Sequence, residues 1–202
     1  MGCFSTSLIE KSKEYVAGFI GDHFTEKICY HNIDHTLGVV EACEIIGKKC
    51  NISDEDLEIV IIAAWFHDTG YYLGCKNHEQ ESAKIATRYL QKENRPPEYI
   101  NSVQNCILAT EIPQNPNGIL EQIICDADLF HLSSEHFFKK SELLLREINL
   151  QNQVFTHLDW LIATREFMET HRYHTTYCQT LLLPKLKKNL ARLKSKISQI
   201  EP

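Results

Sequence analysis

Ten histidines occur in the 202 residues of this chain, and several of them lie next to carboxylates. Three polar segments interrupt apolar sequence: YHNIDHT at 30–36, HDT at 67–69 and DAD at 126–128. Imidazole and carboxylate groups together form the ligand set of a borderline or hard divalent metal ion. These residue types predict either one metal site assembled from distant segments, or separate helix caps and core groups that are satisfied locally.

The doublet His67-Asp68 directly follows the most apolar stretch of the chain, Leu57 to Phe66. Burying two ionisable groups costs several kcal/mol unless they are paired or hold a metal ion. The DAD segment poses the same problem, because apolar residues precede and follow it. A shared metal site would remove both costs together.

Helical periodicity extends through nearly the whole sequence. Within the helix that contains the apolar stretch, Ser53 is expected to cap the N-terminus and Gly70 the C-terminus. No alternating strand, repeat or low-complexity tract is found, so the sequence predicts one all-α domain over residues 1–202, with its main loop at 113–118. Helices are predicted at about 5–24, 34–50, 53–66, 78–94, 97–110, 134–148, 153–172 and 175–200.

The composition, with 43% hydrophobic residues and a net charge of −6, is that of a globular protein. Its acidic balance disfavours general nucleic-acid binding, and no apolar run reaches the length of a membrane span. The eight cysteines form no CxxC pair and follow no secretory segment, so we expect reduced thiols in a cytoplasmic protein. Residues 1–6 fit a myristoylation pattern, although a frayed terminus is the favoured interpretation.

The order of a histidine, a His-Asp doublet and a distal aspartate resembles the HD superfamily of metal-dependent phosphohydrolases, which has an all-α fold. The YHNxxHT segment, the 32-residue step from His35 to His67 and the DAD segment carry the resemblance, over about residues 28–132. The resemblance implies a helical bundle with an additional C-terminal helix, and a site for one divalent transition metal ion (Mn, Fe, Co, Ni or Zn), with a second ion possible. The ligands that it implies are His35, His67, Asp68 and Asp128.

The resemblance also implies roles around the metal ion. The YHNxxHT segment is similar to that of cyclic-nucleotide phosphodiesterases, which makes His31 the candidate proton donor, with a neutral histidine that caps the helix as the alternative. Asp68 is expected to orient the attacking water as well as to bind metal, and Asp126 is the less favoured aspartate of its segment. His78 is similar to a histidine that lines the substrate pocket or serves a second metal ion. Residues 107–111 lack the further histidine usual in dinuclear members, which argues against a full dinuclear site.

Two features lie beyond the resemblance. Arg172, in the polar cluster 169–175, is a candidate for binding a substrate phosphate, with a turn between two helices as the favoured alternative. Leucines and isoleucines from Leu183 to Ile200 are spaced by three and four residues. This seam predicts either packing onto the domain or a dimer contact.

The sequence and the resemblance together imply an enzyme, a phosphatase or phosphodiesterase that cleaves an ester of a nucleotide or related small metabolite. The alternative is an HD-fold module that binds metal or nucleotide as a sensor, with little turnover. We expect a small phosphorylated substrate as the partner, with no general nucleic-acid or membrane binding. A homodimer through the leucine seam is left open.

Overall fold

A computed structural model describes residues 4–151 and 154–200, and within these ranges the chain is helical and contains no strand. This confirms the predicted all-α fold; the N-terminal myristoylation pattern includes residues outside the described ranges. 3₁₀ segments occur at Thr69–Leu73 and Leu129–Ser133. The α-helices are α1 (Ser7–His23), α2 (Ile33–Lys49), α3 (Asp54–Phe66), α4 (His78–Lys92), α5 (Pro97–Leu108), α6 (Ile119–Asp128), α7 (Phe137–Leu150), α8 (His157–Thr170), α9 (Thr176–Leu181) and α10 (Leu183–Ser198).

Helix α3 forms the centre of the core because it is apolar on almost every side. Leu57 and residues 59–66 are buried, and the helix packs against α1, α2, α4, α5 and α6. Ser53 caps its N-terminus as predicted, since its hydroxyl oxygen accepts a hydrogen bond from the backbone N–H of Asp56 at 3.1 Å. The C-terminal end of α3 lies inside the protein, because the helix is buried along most of its length, and the next two residues, His67 and Asp68, are buried as well.

Gly70 does not cap α3, contrary to the sequence-based expectation. The helix ends at Phe66, the capping residue His67 keeps a right-handed helical conformation, and Gly70 lies buried in the following 3₁₀ segment. Its backbone N–H donates to the Ser82 hydroxyl at 2.8 Å. A Cβ at residue 70 would collide with the carbonyl oxygen of His78 and lie 2.7 Å from the backbone nitrogen of Ser82. Glycine at this position therefore allows the 3₁₀ segment to pack directly on α4, which carries His78.

We expect Gly70→Ala to lower the free energy of unfolding by about 2–3 kcal/mol, because the colliding atoms belong to the backbone. The matched control is Gly18→Ala on α1, where an added Cβ meets no atom within 4 Å. Urea unfolding of both variants beside the parent chain tests the expectation. Equal stability of the two variants would show that the 3₁₀ segment can move away from α4 at no cost.

Two further differences separate the predicted helices from the observed ones. Helix α6 is missing from the prediction, because it has only ten residues and starts at Gly118 without a side-chain cap. The last predicted helix is divided into α9 and α10, which meet at Leu182. Pro184 explains the break, since proline is accepted in the first turn of a helix and disrupts a helix interior.

The leucine seam of α10 is used within the chain. Leu186, Leu193 and Ile197 are buried, and α10 packs against α8 and the second 3₁₀ segment. This is the first of the two alternatives for the seam. The seven cysteines in the described ranges are free thiols, as expected. None of the helices described is both long and apolar enough to cross a membrane.

Candidate metal centre

Three helices bring the four predicted ligands to one place. His35 lies in the first turn of α2, His67 and Asp68 follow the last residue of α3, and Asp128 ends α6. The start of α2 is fixed by Asn32, whose side-chain oxygen accepts the backbone N–H of His35 at 3.2 Å. Helix ends thus position all four side chains.

The potential ligand atoms converge closely. The Nε2 atoms of His35 and His67 are 3.3 Å apart, and Asp68 Oδ2 lies 3.2 Å from the first and 3.0 Å from the second. Asp128 Oδ1 is 3.3 Å from His35 Nε2 and 3.8 Å from His67 Nε2. His35, His67 and Asp128 alone offer three ligand atoms that all lie within 4.8 Å of one another. The structure therefore brings together the four residues implied by the resemblance.

This arrangement fits a cation. His67 Nδ1 donates to the carbonyl of Ala64 at 2.8 Å, so the free lone pair of this imidazole is on Nε2, facing the Nε2 of His35. Asp68 Oδ2 is buried and makes no hydrogen bond within the described part of the chain. Two imidazoles and two carboxylates suit a divalent transition metal ion.

The electrostatics of the site also favour positive charge. Burial lowers the pKa of His35, but Asp128 and Asp68 raise it more strongly, to about 9. Burial raises the pKa values of Asp68 and Asp128, yet the neighbouring histidines lower both below the usual aspartate value. The C-terminal ends of α3 and α6 add partial negative charge at the same place. Both carboxylates are therefore held ionised, Asp68 in a buried position and Asp128 in a partly buried one.

Asp126, the other aspartate of the DAD segment, is fully buried and has a different set of contacts. Its carboxylate accepts the backbone N–H of His174 at 2.8 Å, the backbone N–H of Thr175 at 2.8 Å and the Thr175 hydroxyl at 2.7 Å. Thr175 in turn caps α9. Asp126 therefore anchors the turn before α9, while Asp128 faces the metal centre.

His31 lies just outside α2, and Asn32 caps that helix, so the alternative in which His31 is the cap is wrong. His31 Nδ1 donates to Glu147, whose carboxylate also accepts the backbone N–H groups of Tyr30 at 2.7 Å and of His31 at 3.1 Å. Burial raises the pKa of Glu147, but these hydrogen bonds lower it below its usual value. The imidazole of His31 stacks on Tyr71 with 3.9 Å between ring centroids. Its orientation is thus fixed, with Nδ1 engaged and Nε2 without a hydrogen bond to any described residue.

Sequence analysis missed Glu147. The residue lies in α7 between Leu143 and Ile148, and its side chain is fully buried. A single carboxylate on the apolar face of a predicted helix was the available signal, since such a group needs a buried partner. That partner is His31, 116 residues earlier in the chain.

The metal centre opens into a cavity of about 470 Å³, and His31, Asp68, His78 and Asp128 all contribute to its wall. His78 Nδ1 donates to the carbonyl of Cys75 at 3.0 Å, and its Nε2 lies 3.5 Å from Asp68 Oδ1. The structure thus places His78 beside the predicted ligands, in the position implied for a residue that lines a pocket.

Arg172 is not brought to the site. Its guanidinium donates to the carbonyls of Glu169 at 2.9 Å and His171 at 2.8 Å, and Arg172 is not among the described residues that line the cavity. The polar cluster forms the turn between α8 and α9, which is the alternative favoured from the sequence. Its placement gives no support to phosphate binding by Arg172.

Comparison with known proteins gives three findings. A model of the HD domain family matches residues 32–164, beyond the predicted motif core and into α8. The fold is similar to a predicted HD superfamily hydrolase from an uncultured Thermotogales bacterium, with a TM-score of 0.57, 16% identity, and 96% of this chain and 99% of that chain covered. It is also similar to a Lactobacillus plantarum protein, with a TM-score of 0.66, 12% identity, and 98% and 100% covered. These identities show the fold alone, and no curated protein matches the chain.

Proposed function

The chain belongs to the HD domain family, and we propose that it is a metal-dependent phosphohydrolase that cleaves a phosphomonoester or phosphodiester bond of a small metabolite. One observation carries the proposal: two imidazole nitrogens and two carboxylates meet at one end of a cavity of about 470 Å³. Such a ligand set accepts Mn²⁺, Fe²⁺, Co²⁺, Ni²⁺ or Zn²⁺. We propose one bound ion, with a second possible beside His78.

His35, His67, Asp68 and Asp128 would hold the ion and leave positions open toward the cavity. When bound, the ion lowers the pKa of a coordinated water and offsets negative charge on the phosphate oxygens. Asp68 Oδ1 is turned toward His78, at 3.5 Å, so the second oxygen of this ligand is positioned to orient a water molecule.

His31 is the proposed proton donor to the leaving oxygen. Because its Nδ1 is engaged by Glu147, Nε2 is the nitrogen that can exchange a proton with the substrate. The stacking contact with Tyr71 restricts rotation of the ring. His78, held by the Cys75 carbonyl, presents its Nε2 beside Asp68 and is proposed to contact a phosphate oxygen.

Across a panel of compounds, release of inorganic phosphate from phosphomonoesters and nucleotides, and of nucleoside monophosphate from cyclic nucleotides, tests the proposal. The Mn²⁺-supplemented chain is compared with the double variant His67→Ala, Asp68→Ala. We expect turnover by the parent chain and a loss of at least about a thousandfold in the variant, since both changes remove ligands. If a chain that is shown to hold metal hydrolyses no compound of the panel, this would contradict the hydrolase proposal and favour the sensor module. The nucleotide substrate expected from the sequence is one arm of this panel.

A further inference from the structure

The cavity has two chemically different ends. The polar end contains Asp68 and Asp128 of the proposed metal ligands, together with His31, His78, Glu79 and His131. Most of the remaining wall is built by the second 3₁₀ segment, α7 and α8, and it is dominated by hydrocarbon and aromatic side chains. The main ones are Leu132, Phe137, Leu144, Ile148, Trp160 and Phe167.

This wall is poorly suited to a nucleoside. Among the described residues that line the cavity, none is a lysine or an arginine. The edges of a base and the hydroxyls of a sugar are strongly polar, and against this wall most of them would lose their hydrogen bonds to water without replacement. A phosphate does not need a basic side chain here, because the metal centre supplies the positive charge.

Little hydrogen-bonding capacity is available in the apolar part. The Ser141 hydroxyl accepts the indole N–H of Trp160 at 2.9 Å and keeps its own O–H as a donor. The Thr164 hydroxyl oxygen is buried and has no hydrogen-bond partner within the described residues. Between α7 and α8 the wall therefore offers few polar atoms to a bound molecule. Further polar side chains of the cavity belong to other elements, among them Tyr30, Glu79, Thr110 and His131.

We propose that the substrate is a phosphate ester of an apolar alcohol, with an aromatic or branched aliphatic body that fills the cavity between α7 and α8. The phosphate lies against His31 and His78, and the apolar body lies between α7 and α8. The cavity volume of about 470 Å³ is in the range of small-molecule sites and admits a two-ring body. This inference rests on the proposed function and narrows it.

The reaction is a simple hydrolysis. A bond forms between phosphorus and the oxygen of water as the bond between phosphorus and the alcohol oxygen breaks. The alcohol leaves with a proton from His31, and the proton lost by the water restores His31 at the end of the cycle. Inorganic phosphate and the free apolar alcohol are the products.

Binding to the full chain tests the inference without reference to turnover. Calorimetry compares 2-(1-naphthyl)ethanol, the apolar product of a two-ring ester, with adenosine. We expect the naphthyl alcohol to bind at least about tenfold more tightly, because it buries apolar surface without leaving polar groups unpaired. Equal binding, or tighter binding of adenosine, would overturn the inference.

Two variants in which an alanine is replaced by phenylalanine test where the naphthyl alcohol binds. Ala163→Phe, on the part of α8 that lines the cavity, fills the space and should weaken binding of the naphthyl alcohol at least about tenfold. Ala17→Phe, on the exposed side of α1, should leave that binding unchanged. Metal content and urea unfolding of both variants show whether they fold. Unchanged binding by folded Ala163→Phe would overturn the inference; if this variant does not fold, the comparison of ligands on the parent chain decides.

The hydrolysis rates of two phosphate esters distinguish failure of this inference from failure of the proposed function. The two substrates are 2-(1-naphthyl)ethyl phosphate and adenosine 5′-monophosphate, which share a primary-alcohol leaving group. We expect kcat/KM to be at least about thirtyfold higher for the naphthyl ester. A preference for the nucleotide would overturn the inference and support the hydrolase. No turnover of either ester, with tight binding of the naphthyl alcohol, would contradict the hydrolase and leave the cavity assigned to an apolar ligand.

Discussion

Replacement of Asp68 by alanine is expected to abolish metal retention and to lower phosphate release at least about a thousandfold. Asp68 Oδ2 lies 3.2 Å from His35 Nε2 and 3.0 Å from His67 Nε2. The substitution therefore removes the carboxylate ligand that lies closest to both histidine ligands. The metal content of the loaded and desalted chain, measured by mass spectrometry, should fall from about one ion to less than about 0.1 per chain. The metal-free variant should keep its helical circular dichroism, because Asp68 follows the end of α3 and its carboxylate contacts only side chains of the site, those of His35, His67 and His78, among the described residues.

The matched control is Asp126→Ala, which removes a buried aspartate two residues before Asp128 and leaves the four predicted ligands in place. This change removes three hydrogen bonds to the turn before α9 and should lower the free energy of unfolding by about 3 kcal/mol. Folded Asp126→Ala should still retain about one metal ion. Metal loss in this variant equal to that in Asp68→Ala would contradict the assignment of the two aspartates of the DAD segment.

The second large effect is expected from Glu147→Gln. Glutamine preserves the size of the side chain but removes the negative charge that holds His31 Nδ1–H. We expect kcat to fall about a hundredfold for an alkyl phosphate ester, while metal content and substrate affinity change little. Steady-state kinetics, metal analysis and calorimetry measure the three quantities. Glu142→Gln, an exposed change on the same helix, should leave all three unchanged.

The leaving group distinguishes a proton-donor defect from general damage. Ester hydrolysis that releases p-nitrophenol needs little help from an acid, so Glu147→Gln and His31→Ala should lower its rate less than about tenfold. Equal losses for the alkyl and p-nitrophenyl esters would show that Glu147 does not act through proton donation by His31. Loss of the metal ion from His31→Ala would instead make this histidine a ligand or a residue required for folding.

Local sequence patterns, together with the family resemblance, were sufficient to predict the central helix, its N-terminal cap and the residues that meet at the candidate metal centre. The run from Leu57 to Phe66, apolar at every position except Glu58, predicted a buried central helix, because only a helix surrounded by other helices can cover such a segment. The Ser53 cap could also be predicted from the sequence, because a capping side chain bonds to a backbone N–H only three residues away. The resemblance carried by the YHNxxHT, His-Asp and DAD segments implied the four residues that the structure brings together, His35, His67, Asp68 and Asp128.

Only the tertiary structure decided which polar groups find each other over long distances. Glu147 is separated from His31 by 116 residues, and Asp126 lies 48 and 49 residues before its partners. Arg172 has the residue type expected of a phosphate ligand, but the turn after α8 places its guanidinium on backbone carbonyls instead. The apolar wall of the cavity likewise depends on how α7 and α8 pack, because the same leucines could equally fill a closed core. Spacing encodes local structure and a ligand set, whereas the partners of buried charges and the shape of a cavity are fixed only when the helices pack.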